Sequence, residues 1–156
     1  MGLFDKFKKA KPEQKPAVGK PKVFEDEFMD IQTGLISLCM ELARENVDKV
    51  FAYCSIEDHS QSFNAFFEKN GKILTNTQVG SSDETVKDFL RIGTHDLDEL
   101  RAVCDKWNKP VPKQIKMFYN AQTGSYDAKI YYDSLPEDKS AGQVFMEWRK
   151  EIENKN

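Results

Sequence analysis

Residues 50–75 read VFAYCSIEDHSQSFNAFFEKNGKILT and contain three short runs with the character of β-strands. In residues 50–56 every second side chain falls on the same side of an extended backbone. Residues 62–68 are rich in aromatic strand formers, and Asn70-Gly71 supplies the positive φ angles of a type I′ hairpin turn. The stretch therefore predicts a three-stranded meander, whose first two strands are joined by the polar turn Glu57-Asp58-His59-Ser60.

An amphipathic helix is predicted immediately before this meander, over residues 25–46. Its apolar side chains recur at steps of three and four, which is the helical period. The acidic cluster Glu25-Asp26-Glu27 comes first, where the helix dipole favours negative charge. We expect the apolar stripe to pack on a core; its members are Phe28, Ile31, Leu35, Leu38, Cys39 and Leu42.

A second helical pattern follows the meander and continues through Asn108. Residues 81–83 offer an N-cap, and a pair of prolines ends the pattern. Gly93-Thr94 lies in its middle, and Asp96 with Glu99 has the spacing of a second capping pair. We therefore expect the helix to break near Gly93.

The C-terminal third predicts a hairpin and a last helix. Residues 114–119 and 126–132 alternate and are aromatic, and Gly124 in the loop between them suits a left-handed turn position. Beyond Pro136 a helical face is formed by Val144, Phe145, Trp148 and Ile152. The predicted order is α-βββ-α-ββ-α, an α+β fold with a mainly antiparallel sheet. Helices pack on the sheet, and one sheet face can stay partly open.

Charge divides the 156 residues into a basic segment and an acidic body. Residues 1–24 hold seven Lys against Asp5 and Glu13, a net +5, which leaves 16 basic and 24 acidic side chains, a net −8, in the remainder. Residues 10–22 alternate Lys with Pro, so residues 1–22 predict a flexible basic tail, while residues 23–156 predict a single α+β domain. Leu3, Phe4 and Phe7 share a helical face and could form a weak membrane or partner anchor.

Composition limits the partners and the compartment. Hydrophobic residues make up 39% and aromatic residues 12%, which is enough for a folded core. An acidic body repels nucleic acid and suits a basic protein partner. No run approaches the roughly 18 apolar residues of a membrane span, so no stable membrane insertion is expected. Three widely spaced cysteines and the lack of a signal-peptide pattern favour a reducing cytoplasm without a disulfide framework.

Inspection of the reactive side chains does not predict an active site. Cys54 and His59 are separated by a turn and are not expected to meet, and His95-Asp96 has no nucleophile nearby in the sequence. The cysteines and histidines lack the paired spacing of a zinc site, and no nucleotide-binding glycine motif occurs. We therefore predict no catalytic residue, no metal and no cofactor. An enzyme that uses paired carboxylates, such as those at Asp83-Glu84, remains an alternative.

The two β-rich blocks and their spacing resemble the YezG-like immunity proteins, antitoxins of bacterial polymorphic and contact-dependent toxin systems. The resemblance covers about residues 28–150. It rests on the leading helix, the strands at 50–56 and 62–67, an acidic helix ending near Trp107, and the hairpin at 115–133 with its polar turn, glycine, aromatic and acidic residues. It implies a cytoplasmic protein that binds and neutralises a toxin domain and that has no catalytic residues.

The candidate partner-binding surface joins the first turn to the second hairpin. On the last strand, Tyr126 and Tyr132 share one face while Asp127, Tyr131 and Asp133 share the other, so only one set can point outward. Buried aromatic anchors with charges that steer encounter are typical of such surfaces. The full set is Glu57, Asp58, His59, Tyr126, Asp127, Tyr131 and Asp133.

Three other functions fit the same sequence. Acidic secretion chaperones are similar in element order and hold an effector as an extended chain. A membrane-tethered adaptor would use the basic tail, and a small enzyme would use paired carboxylates. The sequence leaves open whether the protein is a monomer or a homodimer.

Overall fold

The computed structural model describes residues 23–155, so the tail predicted for residues 1–22 lies outside the described residues. Within that range no helix combines the length and the apolar character that crossing a bilayer requires. The predicted element order is confirmed, with one additional helical turn, α2. The helices are α1 Phe24–Leu42, α2 Asn76–Val79, α3 Asp83–Lys106 and α4 Ala141–Lys155, and the strands are β1 Lys49–Ile56, β2 Gln61–Lys69, β3 Lys72–Thr75, β4 Gln114–Asn120 and β5 Tyr126–Tyr131.

The five strands form one sheet in the order β3-β2-β1-β4-β5, and every neighbouring pair is antiparallel. The β2–β3 turn is the predicted one, because Asn70 and Gly71 have φ angles of 52° and 80° between the paired residues Lys69 and Lys72. Gly124 also has a φ of 80° in the second hairpin loop. The long meander strand β1 therefore lies at the centre, and the short β3 and the longer β5 form the two edges.

Both faces of β1 are buried, which explains why residues 50–56 are apolar on each side of the strand. Val50, Ala52, Cys54 and Ile56 face α1 and α3 and belong to the main core, as predicted for the apolar stripe of the first helix. Phe51 and Tyr53 face the C-terminal helix and form a second core. We refer to these sides of the sheet as the α1–α3 face and the α4 face.

The α4 face is only partly covered, in agreement with the expectation of a partly open sheet face. The ring of Trp148 lies 5.1 Å from that of Phe66 and 5.9 Å from that of Phe51, centroid to centroid. The helix thus covers the β1–β2 half of this face. On the same face, the β5 residues Asp127 and Lys129 are exposed.

The predicted break at Gly93 is wrong, because α3 runs without interruption from Asp83 to Lys106. Ser82 provides the N-cap, with its hydroxyl accepting from the amide of Thr85 at 3.1 Å. Asp96 and Glu99 lie inside the helix instead of forming a second cap. Gly93 is present for packing, since a Cβ at this position would lie 2.1 Å from Cδ2 of Phe63. The missing side chain lets helix and strand approach closely.

Candidate functional site

The turn between β1 and β2 is closed on itself and anchored to α3. The amide of Glu57 donates to the carbonyl of Ser60 at 2.8 Å. Arg101 of α3 donates from Nη2 to the carbonyl of Glu57 at 2.6 Å and from Nε to Oε1 of Gln61 at 2.9 Å. The planar guanidinium therefore binds both ends of the turn, which a flexible ammonium could not do in this geometry. The turn is held at a defined position at the end of the sheet.

Lys113 links this turn to the end of β5. Its Nζ lies 3.1 Å from Oδ1 of Asp58, and its backbone amide donates to the carbonyl of Tyr131 at 2.8 Å. The bond from Lys113 holds the pKa of the Asp58 carboxyl below its ordinary value, so this carboxylate is ionised at neutral pH. The side chain of Asp58 is 82% exposed. Asp58 and Tyr131 thus lie on either side of the same residue.

These contacts define a surface that we call the tyrosine end, where β1 and β5 both finish. Tyr131 and Tyr132 are 37% and 51% exposed. Asp133 continues the chain in an exposed position, and His59 is exposed in the anchored turn. The tyrosine end consists of Asp58, His59, Tyr131, Tyr132 and Asp133.

Glu57 differs from its neighbours in the turn because it is partly buried. Its Oε2 is buried and has no hydrogen-bond donor within the described part of the chain. Its charge is among the influences that raise the pKa of Tyr53, although burial of the phenol is the main cause and raises that pKa to about 12. Glu57 therefore faces the protein more than the solvent, and Asp58 and His59 are the outward members of the predicted turn.

Two predicted residues lie at the opposite end of β5. Tyr126 and Asp127 pair with Tyr119 and Phe118 of β4, whereas Tyr131 pairs with Gln114. Five residues of extended strand separate Tyr126 from Tyr131 by about 17 Å. Asp127 is exposed on the α4 face, so it shares a face with Tyr131 without adjoining it.

Tyr126 points to the α1–α3 face and is engaged in packing. Its hydroxyl donates to Oε1 of Gln32 in α1, a side chain that is 2% exposed. Burial raises the pKa of the Tyr126 phenol well above its ordinary value. The structure therefore groups Asp58, His59, Tyr131 and Asp133 and leaves Tyr126 outside the surface.

Sequence reasoning missed the two cations that organise this region and one of its exposed rings. Arg101 lies in an acidic helix and Lys113 follows a proline, and neither position signals a contact with a turn more than 40 residues away. The sequence places Tyr132 on one face of the last strand but does not predict it as part of the surface. Its exposure follows from its location just beyond the end of β5.

Polar groups on the α4 face continue inward from the tyrosine end. The hydroxyl of Tyr53 donates to Oε1 of Gln114 at 2.6 Å. Nζ of Lys116 lies 5.6 Å from the ring of Tyr131 and 5.5 Å from that of Trp148, within the range of cation–π attraction. Desolvation lowers the pKa of Lys116. The ammonium of Lys116 thus packs between the ring of Tyr131 and the ring of Trp148.

The described residues do not assemble the reactive pairs considered from the sequence. Cys54 is fully buried on the α1–α3 face, where burial raises its thiol pKa, while His59 is exposed in the turn. His95 is exposed, and burial raises the pKa of the adjacent Asp96. No group of three His, Cys, Asp or Glu side chains within residues 23–155 could hold a metal ion.

A shallow depression beside α4 also lacks converging carboxylates. Among the described residues that line it, Glu147 is the single carboxylate, and it is paired with Lys139 at 2.9 Å. The lining residues are Ser140, Gly142, Gln143, Met146, Glu147 and Lys150. The depression therefore does not present the two free acids that the enzyme alternative requires.

Comparison with protein-family models finds no family that matches the chain, and comparison with curated proteins finds no matching relative. The resemblance to the YezG-like immunity proteins thus rests on the sequence pattern alone.

Proposed function

We propose that this protein is a non-catalytic binder that occludes a protein partner, and that the partner is a toxin domain, as for the YezG-like immunity proteins that it resembles. The observation that carries the proposal is the tyrosine end, where two exposed tyrosines adjoin exposed carboxylates on an anchored scaffold. Tyrosine is enriched among the residues that dominate binding energy, and it loses little conformational entropy on contact.

Charge supports a basic partner. The chain beyond residue 24 has a net charge of −8, which speeds encounter with a cationic surface and disfavours nucleic acid. Asp58 is already paired with Lys113, and Asp133 is the exposed carboxylate that follows the two rings in the chain. On this proposal the protein acts in the cytoplasm, which is compatible with its three buried free thiols.

The test is protection from a toxin. The full chain is expressed together with each toxin-like open reading frame encoded beside it, and growth is measured with the recovery of a stoichiometric complex. We expect the wild type to bind and neutralise one of these toxin-like proteins, and we expect a Tyr131→Ala/Tyr132→Ala variant to bind it weakly and to leave it toxic. Asp133→Lys should slow association, and Glu153→Lys serves as a control with the same charge change on the exposed end of α4.

The proposal fails if no adjacent product is neutralised, or if both surface variants protect as well as the wild type. Activity of the purified chain on a substrate, lost with a carboxylate variant, would instead support the enzyme alternative.

The secretion chaperone remains a second candidate because of one observation. Ile130, Tyr131 and Tyr132 are consecutive and exposed at a sheet edge, which is a surface that an extended client chain could use. The two functions differ in the state of the partner. A bound partner that retains its fold and loses its activity supports occlusion, and a bound partner held unfolded supports the chaperone.

A further inference from the structure

Alternate residues of β5 direct their backbone amides and carbonyls away from β4, toward the outer edge of the sheet. The amide of Asn120 donates to the carbonyl of Ser125 at 2.9 Å, which sets the pattern between β4 and β5. In an antiparallel pair such bonds recur at every second residue, so Asp127 and Lys129 also turn their backbone groups toward β4. Tyr126, Ala128 and Ile130 therefore direct their amides and carbonyls outward. Within residues 23–155, β5 is the last strand of the sheet and pairs with β4 alone, so no strand of this chain reaches these outward groups.

The side chains at this edge are unusually apolar for a solvent-facing position. Seven large hydrophobic residues are exposed in the described chain, and three of them are the consecutive Ile130, Tyr131 and Tyr132. An exposed apolar edge strand is a template for pairing with another strand.

From this edge we infer that the protein forms a homodimer by antiparallel pairing of β5 with β5 of a second copy, centred on Ala128. In this register Ala128 faces Ala128 of the second copy, and Tyr126 faces Ile130 of the second copy. These are the residues whose backbone groups point outward, so the amides and carbonyls of the two copies can hydrogen-bond to each other. Asp127 then faces Lys129 of the second copy, and the reverse pair forms by symmetry.

The charges select this register over its neighbours. Residues whose backbone groups point outward must pair with one another, so the two-fold axis of a symmetric pair passes through a residue and not between two residues. The nearest alternative registers are therefore centred on Asp127 and on Lys129. A centre at Asp127 sets two aspartates directly opposite each other, and a centre at Lys129 sets two lysines opposite each other. Like charges that face each other across strands are destabilising, whereas opposite charges stabilise the pair. Only the register centred on Ala128 matches both charges.

A contact inside the protein favours the same arrangement. Lys129 is paired with Lys116 of β4, so two cations lie opposite each other on the α4 face. A carboxylate on the outer side of Lys129 offsets this repulsion, and Asp127 of the second copy would supply it. The inference goes beyond the proposed function and does not depend on it, because self-association can be measured without any toxin.

The test is sedimentation equilibrium of the full-length chain over a wide concentration range. We expect a monomer–dimer equilibrium for the wild type. Asp127→Lys and Lys129→Asp each replace two attractive pairs by two repulsive ones and should raise the dimer dissociation constant about tenfold or more. The double variant Asp127→Lys/Lys129→Asp restores opposite charges in the same register and should return the constant to within about threefold of the wild type.

Two further measurements separate pairing from general effects of charge. An equimolar mixture of the two single variants should form a heterodimer more readily than either forms a homodimer, since all four charges then match. Ala128→Pro removes only an outward amide, leaves the bonds to β4 intact and should abolish the dimer. Circular dichroism checks that each variant is folded.

A wild type that stays monomeric into the millimolar range overturns the inference, including the case in which this edge instead takes a strand of another protein. A wild-type dimer that neither single charge variant weakens, or that the double variant fails to restore, also overturns it.

Discussion

Gly93 of α3 and Phe63 of β2 are in such close contact that a Cβ on Gly93 would lie 2.1 Å from Cδ2 and 2.8 Å from Cγ of the ring. Phe63 is 3% exposed and its ring also packs on Phe89, at 5.3 Å between centroids, so it has little room to move. The contact sets the distance between helix and sheet on the α1–α3 face.

Gly93→Ala should therefore lower the free energy of unfolding by about 1–3 kcal/mol, the range for overpacking a core, despite the better helix propensity of alanine. Urea denaturation measures the change. Gly142→Ala is the matched control, because a Cβ there meets only Oγ of Ser140 at 3.8 Å and should be neutral or slightly stabilising. Equal stability of Gly93→Ala and the wild type would contradict the close contact.

Arg101 should be necessary for the position of the 57–60 turn. Arg101→Met removes a charged donor from the carbonyl of Glu57 and should cost about 1–2 kcal/mol. Hydrogen exchange at the Glu57 amide, which closes the turn onto Ser60, should quicken in the folded state. Arg101→Lys should rescue little, because one ammonium cannot replace both guanidinium bonds.

The control for Arg101 is Arg91→Met on the same helix. The Arg91 side chain is 70% exposed and, among residues 23–155, pairs with Asp88 alone at 3.5 Å, so we expect a change within about 0.5 kcal/mol. The anchoring role is wrong if both variants have the same effect on the turn.

Removing the hydroxyl should lower the stability of the protein at Tyr126 but not at Tyr131. Tyr126→Phe leaves Oε1 of the buried Gln32 without its donor and should cost about 1–2 kcal/mol of stability. Tyr131→Phe should change stability by no more than about 0.5 kcal/mol, since its side chain is partly exposed. Thermal or urea unfolding distinguishes them, and an equal loss would contradict their assignment to different faces.

Alkaline pH should destabilise the protein through its buried phenols. Burial raises the pKa of Tyr53 from 10 to about 12 in the folded state, so above pH 10 the unfolded state loses this proton first. The contribution of Tyr53 to stability is complete below pH 10 and is lost as pH rises toward 12, by up to about 3 kcal/mol, since one pKa unit corresponds to about 1.4 kcal/mol. Burial shifts the pKa of Tyr126 in the same direction.

Urea midpoints measured below and above pH 10 test this dependence, and tyrosinate absorbance reports the ionisation. Tyr53→Phe should show a smaller fall over the same range. A wild type whose midpoint is unchanged above pH 10 would show that the phenols are accessible to water.

The three thiols should be unreactive in the native protein. Cys39, Cys54 and Cys104 are each 0% exposed, and burial raises all three thiol pKa values, which lowers the fraction of reactive thiolate. A thiol reagent should therefore label them at the rate of unfolding, with complete labelling in denaturant. Rapid labelling of any one cysteine under native conditions would contradict its burial.

Local pattern was sufficient to predict the elements of this fold and their order. The alternation in residues 50–56 and the Asn70-Gly71 turn depend on the period of an extended chain and on allowed φ angles, which are properties of neighbouring residues. The same is true of the N-cap at Ser82 and of the apolar stripe on α1. The predicted break at Gly93 is wrong because glycine, a weak helix former, gives the same local signal whether it breaks a helix or lets a strand approach.

The candidate surface was only partly predictable for the same reason. The sequence predicts that Asp58 and Tyr131 belong to one surface, but it gives no sign of Lys113, whose ammonium pairs with Asp58 and whose backbone amide donates to the carbonyl of Tyr131. Tyr126 is of the same residue type as Tyr131, and only the packing of α1 on the sheet turns one inward while the other remains exposed.

Element type, hairpin turns and overall charge thus follow from the order of residues along the chain, because short-range sterics and periodicity set them. Long-range contacts decide which face of each strand is buried and which cations anchor the turn. They also set the hydrogen-bonding direction of the outer edge of β5. These features depend on contacts between residues tens of positions apart, and no local pattern encodes such contacts.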